Sequence, residues 1–155
     1  MPTLPRRRIA RLALAALAAV PLLRARPAAA EAREPIRQPE RPGADAFMQR
    51  AFDLRGAAAR AGDQAYGAVI VRDGRIVGEA PSRVVTAGDP TAHAEMEAIR
   101  DAARRLGTRD LSGCEIYAST RPCPMCEAAA YWAGVARIRH GADAADAGPP
   151  RLGRC

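Results

Sequence analysis

Two short stretches concentrate the residues able to do chemistry. His93-Ala94-Glu95 holds an imidazole and a carboxylate two positions apart, and Pro122-Cys123-Pro124-Met125-Cys126 holds two thiols three positions apart. Cysteines at i and i+3 on one helical turn can grip a single ion, and a histidine completes a ligand set of the kind zinc takes. Three protein ligands leave a fourth position for water, which is the pattern of a catalytic site. Zinc lowers the pKa of such a water to about 7, and a nearby carboxylate that is not a ligand can then carry protons. His93, Cys123 and Cys126 are therefore read as ligands of one zinc ion per chain, and Glu95 as the proton carrier.

The elements that must position these residues follow from periodicity. Phe47, Ala51, Leu54 and Ala58 recur at helical spacing, which predicts a helix over 45–60 with Asp45 as its cap and Gly62 past its end. The apolar run 66–72 reads as a buried strand, Asp73-Gly74 as a hairpin turn, and 75–79 as the returning strand. A loop over 81–90 precedes a helix over 91–106, stopped by Gly107. A strand over 115–118, a helix over 124–133 ended by Gly134 and a strand over 137–140 follow, and after Gly141 no periodicity remains. The order α-β-β-α-β-α-β implies a mixed sheet with helices on its faces. Both chemical stretches then open helices, whose N-termini can converge at one end of the sheet, where ligand sites of α/β proteins are commonly built. A helix N-terminus also favours thiolates, the forms that bind metal.

These motifs resemble those of the zinc cytidine/deoxycytidylate-type deaminases, whose signature is His-x-Glu followed by Pro-Cys-x-x-Cys. Asp89-Pro-Thr-Ala-His-Ala-Glu95, Pro122-Cys-Pro-Met-Cys126 and Tyr131-Trp132-Ala133 are most similar to the guanine deaminase and tRNA-adenosine deaminase branch, and the resemblance runs from about residue 46 to 146. It implies a three-layer α-β-α cytidine deaminase-like fold with a mixed central sheet and helices on both faces. It also implies hydrolytic loss of an exocyclic amino group from a nucleobase, nucleoside or related aminoheterocycle. Water adds to the ring carbon bearing that group while Glu95 moves the protons. Backbone groups of Ala94 and Cys123 would position the ring, Tyr66 falls where relatives line the base pocket with Phe, and Trp132 and Asp143 fall at positions lining the pocket or its cover. Relatives are oligomeric and often complete the pocket from a neighbour, so a homodimer is expected.

Two positions depart from the family pattern. Ser82 stands where relatives usually place an Asn whose amide bonds the base, and a hydroxyl cannot copy that two-point contact. Arg121 stands where relatives often carry Glu, which reverses a charge beside the pocket.

Charge argues about partners. The 155 residues carry a net +7, but residues 1–30 hold six arginines and no acid. The remainder has 18 basic and 17 acidic residues, a balance with little pull on phosphates, so a small-molecule substrate is expected over nucleic acid. Residues 1–30 run from basic (Arg6-Arg7-Arg8, Arg11) through a twelve-residue apolar run to Ala28-Ala29-Ala30. That order reads as an export signal resembling the twin-arginine type, too short to span a bilayer, and a periplasmic or exported location follows, with a cytoplasmic protein bearing an Arg/Ala-rich extension as the alternative. Residues 31–43, with Pro35, Pro39 and Pro42, read as a linker, 44–148 as the deaminase domain and 149–155 as a tail.

Plainer readings compete for several residues. Cys123 and Cys126 could be a thioredoxin-like redox pair, though this leaves His93 and Glu95 without a role. A structural zinc would need a fourth ligand such as Cys114 or His140. Cys114 opens a strand and reads rather as a small apolar packing residue, and Cys155 could be free or paired with it. Tyr66 and Trp132 could be core, Asp143 solvated and Ser82 an ordinary loop serine. At the level of function, a tRNA-type deaminase and a zinc-stabilised, non-catalytic binding module are the alternatives.

Overall fold

Alternation along one strand decides the layering. Strand β1 (Gly67–Arg72) is buried over its first five residues. Ala68 and Ile70 enter one core, Val69 and Val71 another, as the two-residue period of a strand requires. A strand hidden on both faces must be central, and β1 lies between β2 (Arg75–Pro81) and β3 (Glu115–Ala118). In the computed structural model, which describes residues 34–152, two further strands, β4 (Arg137–His140) and β5 (Ala145–Gly148), complete a sheet of order β2-β1-β3-β4-β5. The β3–β4 pair is parallel and the others antiparallel, so the sheet is mixed as expected. The expected export signal and Cys155 lie outside the described residues. Among those described, no helix is long and apolar enough to cross a membrane.

Helix α1 (Ala44–Arg60) covers one face of the sheet, where Phe47, Met48, Ala51 and Leu54 meet Val69, Val71, Ile76 and Tyr117. Helices α2 (Ala94–Leu106) and α3 (Pro124–Trp132) cover the other, where Ala94, Ala98, Ala102 and Ala130 meet Ala68, Ile70, Ile116 and Ile138. This is the three-layer α-β-α arrangement. The alanine richness has a use here: Ala94, Ala98 and Ala102 are fully buried and let α2 lie close on the sheet. Gly78 sets how close. A Cβ at that position would fall 2.6 Å from the Ala102 Cβ and 2.5 Å from its backbone nitrogen, so Gly78→Ala must push α2 outward. That variant is expected to lose about 1–3 kcal/mol of stability, read as a lower urea midpoint, and an unchanged midpoint would refute the close contact.

Several boundaries differ from expectation, each for a local reason. Asp45 does not cap α1; Gly43 holds that place, its carbonyl accepting from the Phe47 N–H at 3.0 Å. Helix α2 starts at Ala94, not near 91, because Asp89 folds the chain back on Thr91, accepting from both its N–H and its hydroxyl at 2.7 Å. The hairpin turn is as read, with both Asp73 and Gly74 at positive φ. The segment after Gly141 is not an irregular tail: β5 pairs with β4, and Asp146 is ion-paired with Arg137.

Residues 34–43 were expected to form a linker, yet they lie against the domain. Ile36 packs on the α1 core, and the Glu34 carbonyl accepts from Arg105 at 2.9 Å. The Gln38 amide donates to the Ile76 carbonyl and accepts from the Ile76 N–H, both at 2.9 Å.

Candidate metal centre and active-site cavity

The two helix starts meet. His93 and Cys123 are the N-cap residues of α2 and α3, both in extended backbone conformation, and neither side chain caps its own helix. Their side chains are thereby left to face each other. Pro124, at the start of α3, has the fixed φ that a first helical turn favours, and one turn on, Cys126 points back to the same spot. His93 Nδ1 lies 3.7 Å from each sulfur, and the two sulfurs are 3.6 Å apart.

This triangle can be tested against zinc. Around a tetrahedral ion with ordinary bond lengths, two sulfurs stand roughly 3.7 Å apart and a sulfur and a nitrogen roughly 3.5 Å apart. The observed spacings match within a few tenths of an ångström, so the donor set fits zinc without rearrangement. Burial pushes the Cys126 thiol up, with Glu95 and Cys123 adding to the effect, and coordination to a dication is what deprotonates such a thiol. Among the described residues, the ligand atoms that gather within 4.8 Å belong to these three side chains. Cys114 is not a fourth ligand: it is fully buried at the opposite end of β3, its sulfur accepting from Arg72 at 3.3 Å. A three-ligand site is the open kind, which leaves room for water.

Glu95 sits one step outside the triangle, its Oε2 3.6 Å from the Cys126 sulfur. It is 6 % exposed, and burial raises its carboxyl above the ordinary carboxylate range. His93, Glu95 and Cys123 open into a cavity of about 370 Å³, whose wall is continued by Gln64, Tyr66, Thr120 and Arg121. Tyr66 and Arg121 both line this wall, and Arg121 brings a positive charge to it. Ala94 is fully buried behind His93, which leaves its backbone as the part able to contribute.

Three expected substrate contacts lie elsewhere. The Ser82 hydroxyl is 2 % exposed and donates to Asp63 Oδ1 at 2.8 Å, turned into the protein. Trp132 is 75 % exposed, so it is not core; it stacks edge-on against Tyr131 at the far end of α3, roughly 14 Å of helix from Cys123. Asp143 is exposed in the turn between β4 and β5. Sequence reasoning missed Gln64 and Thr120 on the cavity wall and Asp63 behind it. The only signal for Gln64 was its place two residues before Tyr66, and for Thr120 its place in the tight loop before Pro122.

Residues 43–142 match the family described as the cytidine and deoxycytidylate deaminase zinc-binding region. The chain belongs to this family. Within it, the chain is 45 % identical over 108 residues to guanine deaminase of Bacillus subtilis, covering 67 % of this chain and 69 % of that protein. It is 40 % identical over 96 residues to tRNA-specific adenosine deaminase of Aquifex aeolicus, covering 62 % and 64 %. The crystal structure of the Bacillus subtilis guanine deaminase superposes with a TM-score of 0.60 over 62 % of either chain. A guanine deaminase from Nitrosomonas europaea superposes with 0.63 at 28 % identity, over 67 % of this chain and 61 % of that one. The chain thus spans about two thirds of these deaminases' length.

Proposed function

We propose that this chain is a hydrolytic deaminase acting on a free nucleobase, nucleoside or related aminoheterocycle, with a guanine-like purine as the leading substrate. The observation that carries the proposal is the zinc-fitting triangle of His93, Cys123 and Cys126 beside a buried, non-ligating Glu95 at the floor of an open cavity. The reaction adds water across a ring C=N bond and then breaks the exocyclic C–N bond, leaving a ring C=O and ammonia. Zinc, when bound, supplies a water that ionises near neutral pH. Glu95 would take one proton from the attacking water and hand it to the ring nitrogen, then take the second from the hydroxyl now on the ring carbon and give it to the amino group, which leaves as ammonia. Its placement supports the assignment, because it is buried beside the ligand triangle and lines the cavity without being one of the three ligands. Tyr66 closes the side of the cavity against the ring face. The near-neutral charge of residues 31–155 supports a small molecule over RNA.

Ammonia release from guanine, adenine, cytosine, their nucleosides and an anticodon-loop RNA tests the proposal on the zinc-loaded protein. Release from one of the small rings supports it. Release from RNA alone points to a nucleic-acid deaminase, and silence across the panel with zinc bound points to a binding module.

The proposal includes a homodimer, supported by the adjacent exposed aromatics Tyr131 (45 %) and Trp132 (75 %) on α3. Sedimentation equilibrium should give twice the 16.4 kDa chain mass, falling toward one chain in Trp132→Glu; a wild-type monomer at every concentration would count against it. Residues 1–30 act as an export signal in this reading, supported by their basic, apolar, small-residue order. Recovery of the protein from the periplasm with Glu31 at its N-terminus is the expected result, and intact full-length protein in the cytoplasm the contrary one.

A further inference from the structure

The cavity needs a group that reads the ring, and Ser82 is not available for it. Its hydroxyl is held by Asp63 at 2.8 Å, and its backbone N–H is held by the Tyr66 carbonyl at 3.0 Å. Asp63 is the hub of this arrangement. One of its carboxylate oxygens takes the Ser82 hydroxyl and the Gln64 N–H, both at 2.8 Å. The other takes the N–H groups of Val85 at 3.0 Å and Thr86 at 2.8 Å. The loop between β2 and α2 is thereby pinned to the turn between α1 and β1.

That turn presents Gln64. The residue is clamped by its backbone on both sides, its N–H donating to Asp63 and its carbonyl accepting from the Tyr66 N–H at 2.8 Å. Its side chain lines the cavity with His93 and Glu95, and among the described residues no partner engages its amide. A primary amide offers a donor and an acceptor side by side. Of the remaining wall residues, Thr120 carries one hydroxyl, Arg121 can only donate, and Tyr66 has a single phenol. Gln64 is the wall residue with a two-point, donor–acceptor reader on a fixed backbone.

We propose that Gln64 reads the substrate, selecting rings that carry an N–H and a C=O side by side next to the carbon bearing the reacting amino group. The inference rests on the deaminase reading for the cavity's orientation, but its test does not depend on turnover. Guanine carries such a lactam edge, and 2-aminopurine keeps the same amino group and ring without it. Both are titrated calorimetrically into the zinc-loaded full chain, its Gln64→Leu variant, which keeps the bulk but cannot pair, and Gln64→Asn. Ammonia release is measured alongside.

The wild type is expected to prefer guanine by about 10- to 100-fold. Gln64→Leu should bring the two affinities together, and Gln64→Asn should restore part of the difference. Ser82→Ala should leave the ratio in place even where it lowers the melting temperature. A ratio unchanged in Gln64→Leu, or lost in Ser82→Ala, overturns the assignment whether or not ammonia is released. A Gln64-dependent ratio without ammonia release overturns the deaminase reading and keeps Gln64 as the reader. Failure of both rings to bind overturns the assignment.

Discussion

Glu95→Gln is expected to keep its zinc and its fold while losing about 10²–10⁴-fold in kcat, the range a positioned proton carrier contributes. The side chain is 6 % exposed and starts the helix that His93 caps, so glutamine fits the same space and leaves the backbone of α2 unchanged. What glutamine cannot do is take a proton. Glu95 is not among the three ligand residues, so the metal content should stay at one zinc per chain. The decisive pair of measurements is ammonia release at saturating substrate and zinc by atomic absorption. Loss of activity with retained zinc separates proton transfer from metal binding. More than a tenth of wild-type kcat in the variant would remove Glu95 from the reaction, and loss of zinc would make it a ligand.

Cys126→Ala is the complementary experiment, and its expected outcome is the reverse. Cys126 is 1 % exposed at the base of the triangle, between His93 Nδ1 and the Cys123 sulfur. Removing its sulfur leaves two ligands, too few to hold zinc in a closed, defined geometry. Zinc should fall to well below one per chain, and activity should become undetectable. Stability should fall as well, because an ion that binds the folded chain alone stabilises it by about 4 kcal/mol when present at 1,000 times its dissociation constant. Treating the wild type with a chelator should lower its melting temperature toward that of the variant, while the variant itself should not respond. A Cys126→Ala protein that keeps full zinc and responds to chelation would place the metal elsewhere.

The parts of this site legible in the sequence are those whose geometry is local. Cys123 and Cys126 lie within one helical turn, as do His93 and Glu95, so residue spacing alone brings each pair together, and the strand-to-helix steps bring the two pairs to one end of the sheet. Strands β3 and β4 are legible to the residue because Gly113 and Pro122 bound the first and Gly134 and Gly141 the second. Strand β5 was invisible because Ala-Asp-Ala-Gly shows no apolar alternation; backbone pairing to β4 and the Asp146–Arg137 pair hold it. Ser82 misled for a different reason. Its partner Asp63 lies 19 residues upstream in another turn, and nothing in the loop's own sequence announces that its hydroxyl is already taken. Trp132 misled because an aromatic in a small domain is usually buried, whereas here it is exposed at the last residue of a nine-residue helix.

The Gln38 contact has a bearing on how this protein survives at high concentration. Strand β2 is at the border of the sheet, and its outer backbone groups are those to which another chain could add a strand. By taking both the N–H and the carbonyl of Ile76, the Gln38 amide imitates one rung of a ladder and fills it with an object that cannot be extended. A stretch that looked like a tether thus works as a guard against edge-to-edge aggregation. Cutting the protein back to residue 44, where its helices begin, would remove that guard while leaving the zinc ligands and Glu95 in place.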